Sequence, residues 1–257
     1  INIAVISGGN SEERLVSIRT GEAVAEACNQ LGYNTSIFIL DSDSIDFILN
    51  DLKAHDFVFI ALHGSFGEDG VIQSILSKNN IPFNGSGEKS SRNCFDKSVT
   101  KEIVMNQGVL SPKYYQTSSN TCNDHLDFKS EKYVVKPNSQ GSSVGFNVID
   151  NFENLNDAID KALDFDNSVL IEEFIDGREI TVPILGNEPL PVIEIEPKSG
   201  IYDYKSKYTQ GESKYICPAD LNLEKYQFVQ NCALSVHKML KCDVYSRVDF
   251  KFYSDNF

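Results

Sequence analysis

Apolar residues in the first third of the chain alternate between short runs and helical spacing. Short apolar runs of this kind are typical of strands buried in a parallel sheet. The runs that predict strands are residues 3–7, 34–40, 56–62 and 81–85. The helices predicted between them cover residues 10–31, the region around 44–53, and the segment that starts at Val71. Strands that alternate with helices predict a doubly wound α/β domain.

The rhythm changes after Gly87, where strands begin to follow strands. This pattern predicts antiparallel sheets with helices on one face. The predicted strands are residues 113–117, 132–136, 144–149, 168–175, 178–185, 190–196 and 245–253. The predicted helices are residues 90–107, 152–164 and 222–240, and 200–214 is predicted to be a polar, aromatic loop. We therefore expect three domains, covering residues 1–90, 91–176 and 177–257.

The composition of the chain argues against some classes of binding partner. The 257 residues carry a formal net charge of −14, which argues against nucleic acid but not against a small phosphate ligand bound in a local positive pocket. No apolar run reaches the roughly 20 residues that a membrane helix needs. The six cysteines include no Cys-x-x-Cys pair, and no signal-peptide pattern is present. We expect reduced, buried thiols and a cytoplasmic protein without a membrane partner.

A Gly/Ser loop between two predicted strands is the first candidate for chemistry. Residues 134–146 read VVKPNSQGSSVGF, so Lys136 ends one strand and small residues follow it. Such loops expose backbone N–H groups that attract anions. The order differs from the Walker A loop, in which the lysine follows the glycines. The segment therefore predicts a different kind of phosphate-binding loop.

The strand at residues 245–253 alternates its side chains between two faces. Val248, Phe250 and Phe252 are expected to face a core, which leaves a row of Arg247, Asp249 and Lys251 on the other face. Such a row is more often an exposed sheet surface than a site. The functional alternative is a carboxylate that holds a metal beside a phosphoryl group.

Residues 170–179 end a predicted strand with several acids. One interpretation is an edge strand with solvated carboxylates, in which Glu172 and Phe174 share a face. The other is a hinge whose backbone groups meet an adenine ring. Similarly, the loop at residues 200–211 carries two lysines and three tyrosines, and is either an ordinary exposed loop or a lid that closes over ligand.

Two acidic segments lie near the carboxyl ends of the first predicted strands, where open α/β sheets bind ligands. Glu13 would close a capping box if Asn10 capped the first helix, or it would pair with an ammonium group. Residues 63–70, HGSFGEDG, form a tight loop in which Glu68 and Asp69 complement the dipole of the next helix. His63 in this loop is either structural or part of a site.

Taken together and in this order, these segments resemble the D-alanine:D-alanine ligase family of the ATP-grasp superfamily. The resemblance covers the whole chain. The segments that carry it are GGNSEERLVS (8–17), HGSFGEDG (63–70), DK (96–97), VVKPNSQGSSVG (134–145), LIEEFIDGREITV (170–182), YDYKSKY (202–208), CPA (217–219) and RVDF (247–250). The resemblance implies an ATP-grasp architecture, with an N-terminal doubly wound parallel-sheet domain, a small central domain and a C-terminal domain.

The resemblance also implies roles for individual residues. The residues implied to bind ATP are Lys97, Lys136, Gly141, Ser142, Ser143, Glu172, Phe174, Ile175, Glu179 and Lys207. Among these, Glu172 and the backbone of Phe174 and Ile175 would meet adenine, and Glu179 would meet ribose. Asp249 would bind magnesium. The residues implied to bind substrate are Glu13, His63 and Arg247. The implied catalytic residues are Glu13, Ser142, Tyr208 and Arg247. Hydrogen bonds would join Glu13, Ser142 and Tyr208.

The implied reaction joins two D-alanines at the expense of ATP. A carboxylate attacks the γ-phosphate, and the amine of the second D-alanine displaces phosphate from the resulting acyl phosphate. ATP is thus a co-substrate, two Mg²⁺ ions (or Mn²⁺) are the implied cofactors, and we expect a homodimer. The dipeptide would supply peptidoglycan synthesis.

Two departures from the family and two alternatives accompany this reading. Family members continue past residue 257 into a strand whose Glu and Asn complete the magnesium site, so we expect the sequence to be truncated. Gln140 replaces an acidic residue that is common in the family. The alternatives are a D-alanine:D-lactate ligase, against which Tyr208 argues, and a non-catalytic ATP-binding module. A Rossmann dinucleotide site is excluded because no G-x-G-x-x-G follows the first strand.

Overall fold

The computed structural model describes residues 1–119 and 126–253 and contains two compact units. The first unit is Ile1–Phe95 with the short segment Cys242–Val244, and the second is Asp96–Lys241 with the chain from Tyr245 onward. The second unit contains two separate sheets. The three-domain division expected from the sequence stays a prediction. Within the described residues, no helix is both long enough and apolar enough to cross a membrane.

The first unit is built on a parallel sheet. Its strands are β1 (Asn2–Gly8), β2 (Asn34–Leu40) and β3 (Phe57–Ile60), in the order β2-β1-β3. A parallel bridge from Val58 to Phe83 marks the short strand expected at residues 81–85. The helices are α1 (Arg14–Gln30), α2 (Leu49–Lys53), α3 (Val71–Lys78) and α4 (Glu88–Phe95).

Side-chain alternation along β1 divides the core of this unit between the two faces of the sheet. Ala4 and Ile6 pack in one cluster with Ile72 of α3, while Ile3 and Val5 pack in another with Ala25 of α1. Because apolar side chains leave the strand on both faces, helices must cover both faces. The doubly wound arrangement expected from the sequence is confirmed.

The second unit holds two antiparallel sheets. Its strands are β4 (Tyr114–Thr117), β5 (Tyr133–Pro137), β6 (Asn147–Ile149), β7 (Val169–Glu173), β8 (Arg178–Leu185), β9 (Glu188–Pro189), β10 (Ile193–Pro197), β11 (Ser213–Ile216) and β12 (Tyr245–Phe252). Its helices are α5 (Lys97–Met105), α6 (Leu155–Leu163, preceded by a 3₁₀ turn), α7 (Tyr204–Tyr208) and α8 (Leu223–Met239).

Each sheet of the second unit packs one helix against its apolar face. The first sheet has the order β4-β7-β5-β6 and buries Val135 and Ile171 against Ile159 of α6. The second has the order β11-β10-β8-β12, with β9 beside β8, and buries Val182 against Ala233 of α8. On β12, Phe252 lies in this core and Val248 and Phe250 pack against it, as the alternation predicted.

Three local expectations were wrong. The helix expected at residues 90–107 is two helices, because Asp96 leaves the helical conformation and its side chain accepts the N–H of Val99 at the start of α5. The loop expected at 200–214 contains α7 and β11, and Asp203 caps α7 through the N–H of Ser206. Strand β7 lies between β4 and β5, so it is not an edge strand.

The cysteines are reduced but not buried. Among the described residues, Cys94 and Cys217 are exposed, and Cys28, Cys232 and Cys242 are partly exposed, all as free thiols. Cys122 lies outside the described residues. The expectation of buried thiols was wrong for these five cysteines, although Cys28 packs against a core cluster of the first unit.

Glycine at the end of β1 permits a close backbone approach that a larger residue would obstruct. Gly8 has φ of 91°, and a Cβ there would lie 2.5 Å from the carbonyl oxygen of Leu40. Gly32 has a similar φ of 84° but open space around its Cα. We predict that Gly32→Ala costs about 1 kcal/mol through its backbone conformation alone. Gly8→Ala should cost a further ~1–3 kcal/mol because the strands must separate.

Urea denaturation of both variants measures the difference in the free energy of unfolding. Equal destabilisation of the two variants would contradict the steric argument at Gly8.

Candidate active site

The Gly/Ser loop of the second unit follows β5 and has an unusual backbone. Ser142 and Ser143 have φ of 51° and 59°, and Gly145 has φ of 68°. The N–H of Val144 donates to the carbonyl of Gly141 at 3.1 Å, and that of Phe146 to Ser143 at 3.3 Å. These left-handed residues fold the loop into successive tight turns. Turns of this kind present backbone N–H groups to an anion.

Lys97 ties the start of α5 to this loop. Its Nζ donates to the carbonyl oxygens of Asn138 at 3.1 Å and of Gln140 at 2.6 Å. Burial, followed by the positive charge of Lys136, lowers the pKa of Lys97 to about 8, and Lys207 also acts in this direction. The three lysines expected at the ATP phosphates are therefore close enough to influence one another.

A buried carboxylate on the central strand β7, that of Glu172, forms ion pairs with Lys136 and Lys101. Glu172 is 5% exposed at its side chain, and its two oxygens lie 2.7 Å from Nζ of Lys136 and 3.0 Å from Nζ of Lys101. Burial acts to raise the pKa of Glu172, but Lys136 and Lys101 outweigh it and lower that pKa below its usual value. Glu172 therefore stays charged and fixes both lysines.

Lysines outnumber carboxylates around the loop. The groups whose charges act on Lys97 are Lys136, Lys207, Glu172 and Asp166. Asp166 accepts the N–H of Ser139 at 2.6 Å. A chain with a net charge of −14 thus concentrates positive charge at one loop, as a phosphate ligand requires.

Two hydrogen bonds tie the Gly/Ser loop to the segment around α7. The hydroxyls of Ser142 and Tyr208 lie 2.5 Å apart, and Ser143 donates to the carbonyl of Tyr202 at 3.1 Å. Nζ of Lys207 lies 5.2 Å from the centre of the Tyr202 ring. The expected contact between Ser142 and Tyr208 is present. Its part in catalysis, and the link to Glu13, stay predictions.

Strand β12 contributes a charged pair on the face away from the core. Arg247 makes two contacts to the carboxylate of Asp249, at 3.0 and 3.1 Å, and Thr181 donates to the same carboxylate at 2.7 Å. Burial and the hydrogen bond to Tyr215 raise the pKa of Tyr202. The charge of Asp249 adds to this shift and that of Arg247 opposes it. The pair therefore lies near the segment that carries Lys207.

Asp249 fits magnesium in its donor chemistry. Its side chain is 61% exposed, and carboxylate oxygen is the ligand that Mg²⁺ prefers. Magnesium at nucleotide sites is commonly held by one or two carboxylates together with phosphate oxygens. Within residues 1–119 and 126–253, no cluster of three His, Cys, Asp or Glu side chains could hold a metal without such added ligands.

Of the residues expected around adenine and ribose, Glu172 lies on β7, and Phe174, Ile175 and Glu179 follow it. Glu179 forms an ion pair with Lys251 at 2.5 Å, and this lysine also lies 5.8 Å from the ring centre of Phe174. The N–H of Phe174 donates to the carbonyl of Lys132 at 3.1 Å. Any backbone contact of Phe174 with adenine must therefore use its C=O. Ile175, which follows it, is partly exposed.

The first unit holds a separate cluster of charged and polar groups beyond β1 and β3. Glu13 is 6% exposed, and Ser11 joins its backbone to that of His63 by accepting the N–H of Glu13 and donating to the carbonyl of His63. The carboxylate of Glu68, which lies 3.7 Å from Nδ1 of His63, raises the pKa of His63, and Glu13 contributes to the same shift against the opposing effect of burial. The two carboxylates therefore favour the protonated form of His63, and the hydroxyl of Thr20 lies 3.1 Å from its Nε2.

The capping-box interpretation of Glu13 is wrong. Helix α1 begins at Arg14, so Glu13 is itself the N-cap residue, and its side chain makes no capping hydrogen bond. Its carboxylate is instead directed toward the loop after β3, where one oxygen lies 3.3 Å from the position of a Cβ on Gly64.

The sequence reading omitted Lys101, Tyr202 and Glu68 from the site. Lys101 could have been found, because it follows Lys97 by four residues and therefore lies on the same face of α5. Tyr202 and Glu68 lie in two of the segments that carry the family resemblance, 202–208 and 63–70. The tertiary structure decides which side chains of these segments face the site.

Known sequence families match most of this chain, and related proteins match nearly its whole length. The sequence profile described as "D-ala D-ala ligase C-terminus" matches residues 103–257, and "D-ala D-ala ligase N-terminus" matches residues 47–86. A D-alanine–D-alanine ligase of Methylacidiphilum infernorum is 42% identical over 255 residues, which are 99% of this chain and 81% of that protein. The enzyme of Clostridium perfringens is 39% identical over 97% of this chain and 82% of its own length.

Solved structures give the same result. A D-alanine–D-alanine ligase from Bacillus anthracis in complex with ATP superposes with a TM-score of 0.83 and 30% identity, covering 100% of this chain and 83% of its own. The chain belongs to the D-alanine–D-alanine ligase family, whose members are ATP-dependent ligases. The ATP-grasp fold expected from the sequence is confirmed.

Removing Lys101 should destabilise the second unit. Lys101→Met leaves the buried Glu172 carboxylate with one lysine, which should lower the free energy of unfolding by about 3 kcal/mol. The matched control is Lys214→Met. Lys214 pairs with Glu196 at 3.0 Å, but their side chains are 70% and 49% exposed. Its loss should cost less than about 1 kcal/mol.

Chemical denaturation of both variants checks this prediction. A Lys101 variant as stable as the Lys214 variant would show that Glu172 does not need its second lysine.

Proposed function

We propose that this chain joins two D-alanines into D-alanyl-D-alanine, with each residue of the two clusters in a defined role. The observation that carries the proposal is the convergence of Lys97, Lys136 and Lys207 around the Gly/Ser loop. ATP is the co-substrate, and the dipeptide supplies peptidoglycan synthesis. We further propose a cytoplasmic homodimer that binds neither nucleic acid nor membrane.

The lysine cluster binds the triphosphate. Lys97, Lys136 and Lys207 neutralise phosphate charge, and the backbone N–H groups of residues 141–143 contact phosphate oxygens. Glu172, whose oxygens can each accept more than one hydrogen bond, also receives the adenine amino group while it holds Lys136. Phe174 and Ile175 border the ring, and Glu179 accepts the ribose hydroxyls.

Asp249 is proposed as one ligand of magnesium that accompanies ATP. Magnesium, when bound, supplies charge neutralisation on the phosphate oxygens. Arg247, fixed by two contacts to Asp249, faces the negative charge that develops on the phosphorylated carboxylate and on the tetrahedral intermediate.

The cluster of the first unit suits a zwitterionic amino acid. The carboxylate of Glu13 accepts the ammonium group, and His63, whose pKa is raised by the nearby Glu68, attracts the substrate carboxylate when it is protonated. A carboxylate is a poor electrophile, so its oxygen first attacks the γ-phosphorus of ATP and ADP leaves. The amine of the second D-alanine then attacks the carbonyl carbon, and phosphate leaves.

The direct test is product formation by the purified chain. Phosphate release should require ATP, Mg²⁺ and D-alanine together, and mass spectrometry should detect D-alanyl-D-alanine. Parallel reactions with D-lactate as the second substrate should be slower. ATP-dependent thermal stabilisation without phosphate release on adding D-alanine would instead indicate a non-catalytic ATP-binding protein.

The low pKa of Lys97 predicts a pH dependence of nucleotide binding. Below about pH 8, the pKa that Lys97 has in the unliganded protein, Lys97 carries a positive charge. Above it the proton must be taken up when phosphate binds, so the Kd for ATP should rise by up to about tenfold per pH unit. Calorimetric titrations between neutral and alkaline pH measure this slope.

Lys97→Met should bind ATP more weakly at neutral pH and lose the inflection near pH 8. Lys129→Met, at an exposed position, is the control and should keep it. An unchanged inflection in Lys97→Met would assign the titration to another group.

Glu13→Gln should separate amino-acid binding from nucleotide binding. Loss of a charged hydrogen bond to the ammonium group should raise the KM for the first D-alanine by about tenfold or more, with little change for ATP. Glu12→Gln, which alters the exposed neighbouring carboxylate, should behave as wild type. Steady-state kinetics give both constants, and comparable changes in the two would remove Glu13 from this role.

A further inference from the structure

Two cysteines far apart in sequence have adjacent sulfur atoms in the first unit. Cys94 lies in α4 and Cys242 begins the short segment Cys242–Val244, yet their Sγ atoms are 3.6 Å apart. Neither residue belongs to the clusters assigned to ATP or D-alanine. Cys94 is exposed and Cys242 is partly exposed. Cys28, which lies within α1, instead packs against the core cluster that contains Val5 and Ala25. The pair is therefore accessible to reagents in solution.

Contacts other than the thiols bring these cysteines together. The hydroxyl of Ser86 accepts the N–H of Asp243 at 2.9 Å and donates to its carbonyl at 3.3 Å. Ser90 of α4 donates to Sγ of Cys242 at 3.5 Å. Because Ser86 fixes the backbone next to Cys242, the segment is held beside α4 through its main chain as well as through sulfur.

The two thiols differ in acidity. The hydrogen bond from Cys94 lowers the pKa of Cys242 to about 6; burial opposes this effect, and Ser90 and Ser86 add to it. The same hydrogen bond raises the pKa of Cys94. A thiolate is the nucleophile in thiol–disulfide exchange, and a neighbouring thiol can resolve the mixed disulfide.

We propose that Cys94 and Cys242 form a thiol–disulfide exchange site that reacts with low-molecular-weight disulfides and closes to an intramolecular disulfide. The sulfur atoms must approach from 3.6 Å to the ~2.0 Å of a disulfide bond, a shift that side-chain rotation and a small movement of the segment supply. This site is independent of the ligase reaction and serves as a redox-sensitive modification site.

The small disulfide, written R–S–S–R, is the oxidant in this exchange and accepts the two electrons that the protein thiols lose. The thiolate of Cys242 attacks one sulfur, forms the mixed disulfide Cys242–S–S–R and releases one R–S⁻. Cys94, after losing its proton, attacks Sγ of Cys242 and releases the second R–S⁻. The two protein thiols are oxidised, the small disulfide is reduced to two R–SH, and the two thiol protons end on the released thiolates.

The test uses the full chain and oxidised glutathione at neutral pH. After reaction, remaining thiols are alkylated and the protein is mapped by mass spectrometry without reduction. The expected result is a Cys94–Cys242 linked peptide and the loss of two alkylatable thiols, reversed by dithiothreitol. Separate glutathione adducts on exposed thiols such as Cys217, with no linked peptide, would overturn the proposal.

Single variants test the order of the two steps. Cys94→Ser should retain one glutathione on Cys242, because no thiol remains to displace it. Cys217→Ser, which removes an exposed thiol elsewhere, should form the linked peptide as wild type does. A Cys94→Ser protein that carries no adduct on Cys242 would contradict the assignment of Cys242 as the attacking group.

Discussion

The lysine cluster around the Gly/Ser loop depends on the ion pairs that the buried carboxylate of Glu172 makes with Lys136 and Lys101. A charged group on a central strand is stable only when opposite charges replace the water it has lost. Lys136 from β5 and Lys101 from α5 do so, at 2.7 and 3.0 Å. Because Lys97 precedes Lys101 by one helical turn, the same ion pair that places Lys101 also orients Lys97 toward the Gly/Ser loop. One buried charge thus sets the positions of Lys136 and Lys97, two of the three lysines proposed to bind phosphate.

The Gly/Ser loop is held to the rest of the second unit by several hydrogen bonds. These bonds run from Lys97 to the carbonyl of Gln140, from the N–H of Ser139 to Asp166, from the side chain of Gln140 to the carbonyl of Phe165, and from Ser142 and Ser143 to the segment around α7. Closure of this loop over bound ATP would keep water from the acyl phosphate of the proposed reaction.

Much of the fold was predictable because its signals are local. The alternation along β12 correctly placed Phe252 in the core and Arg247 with Asp249 on the other face. The break at Asp96 and the central position of β7 were not predictable, since the first depends on a side-chain cap inside a helical pattern and the second on which strands pair. Lys101 could have been named from its spacing to Lys97, but its ion pair with Glu172 depends on where β7 lies in the sheet and was found only in the structure.

The most direct test of the central claim is a crystal structure of the chain with Mg²⁺ and a non-hydrolysable ATP analogue. The account predicts phosphate oxygens within hydrogen-bond distance of Nζ of Lys97, Lys136 and Lys207, with Glu172 still contacting Lys101. A triphosphate bound elsewhere, with these lysines in their present contacts, would contradict it.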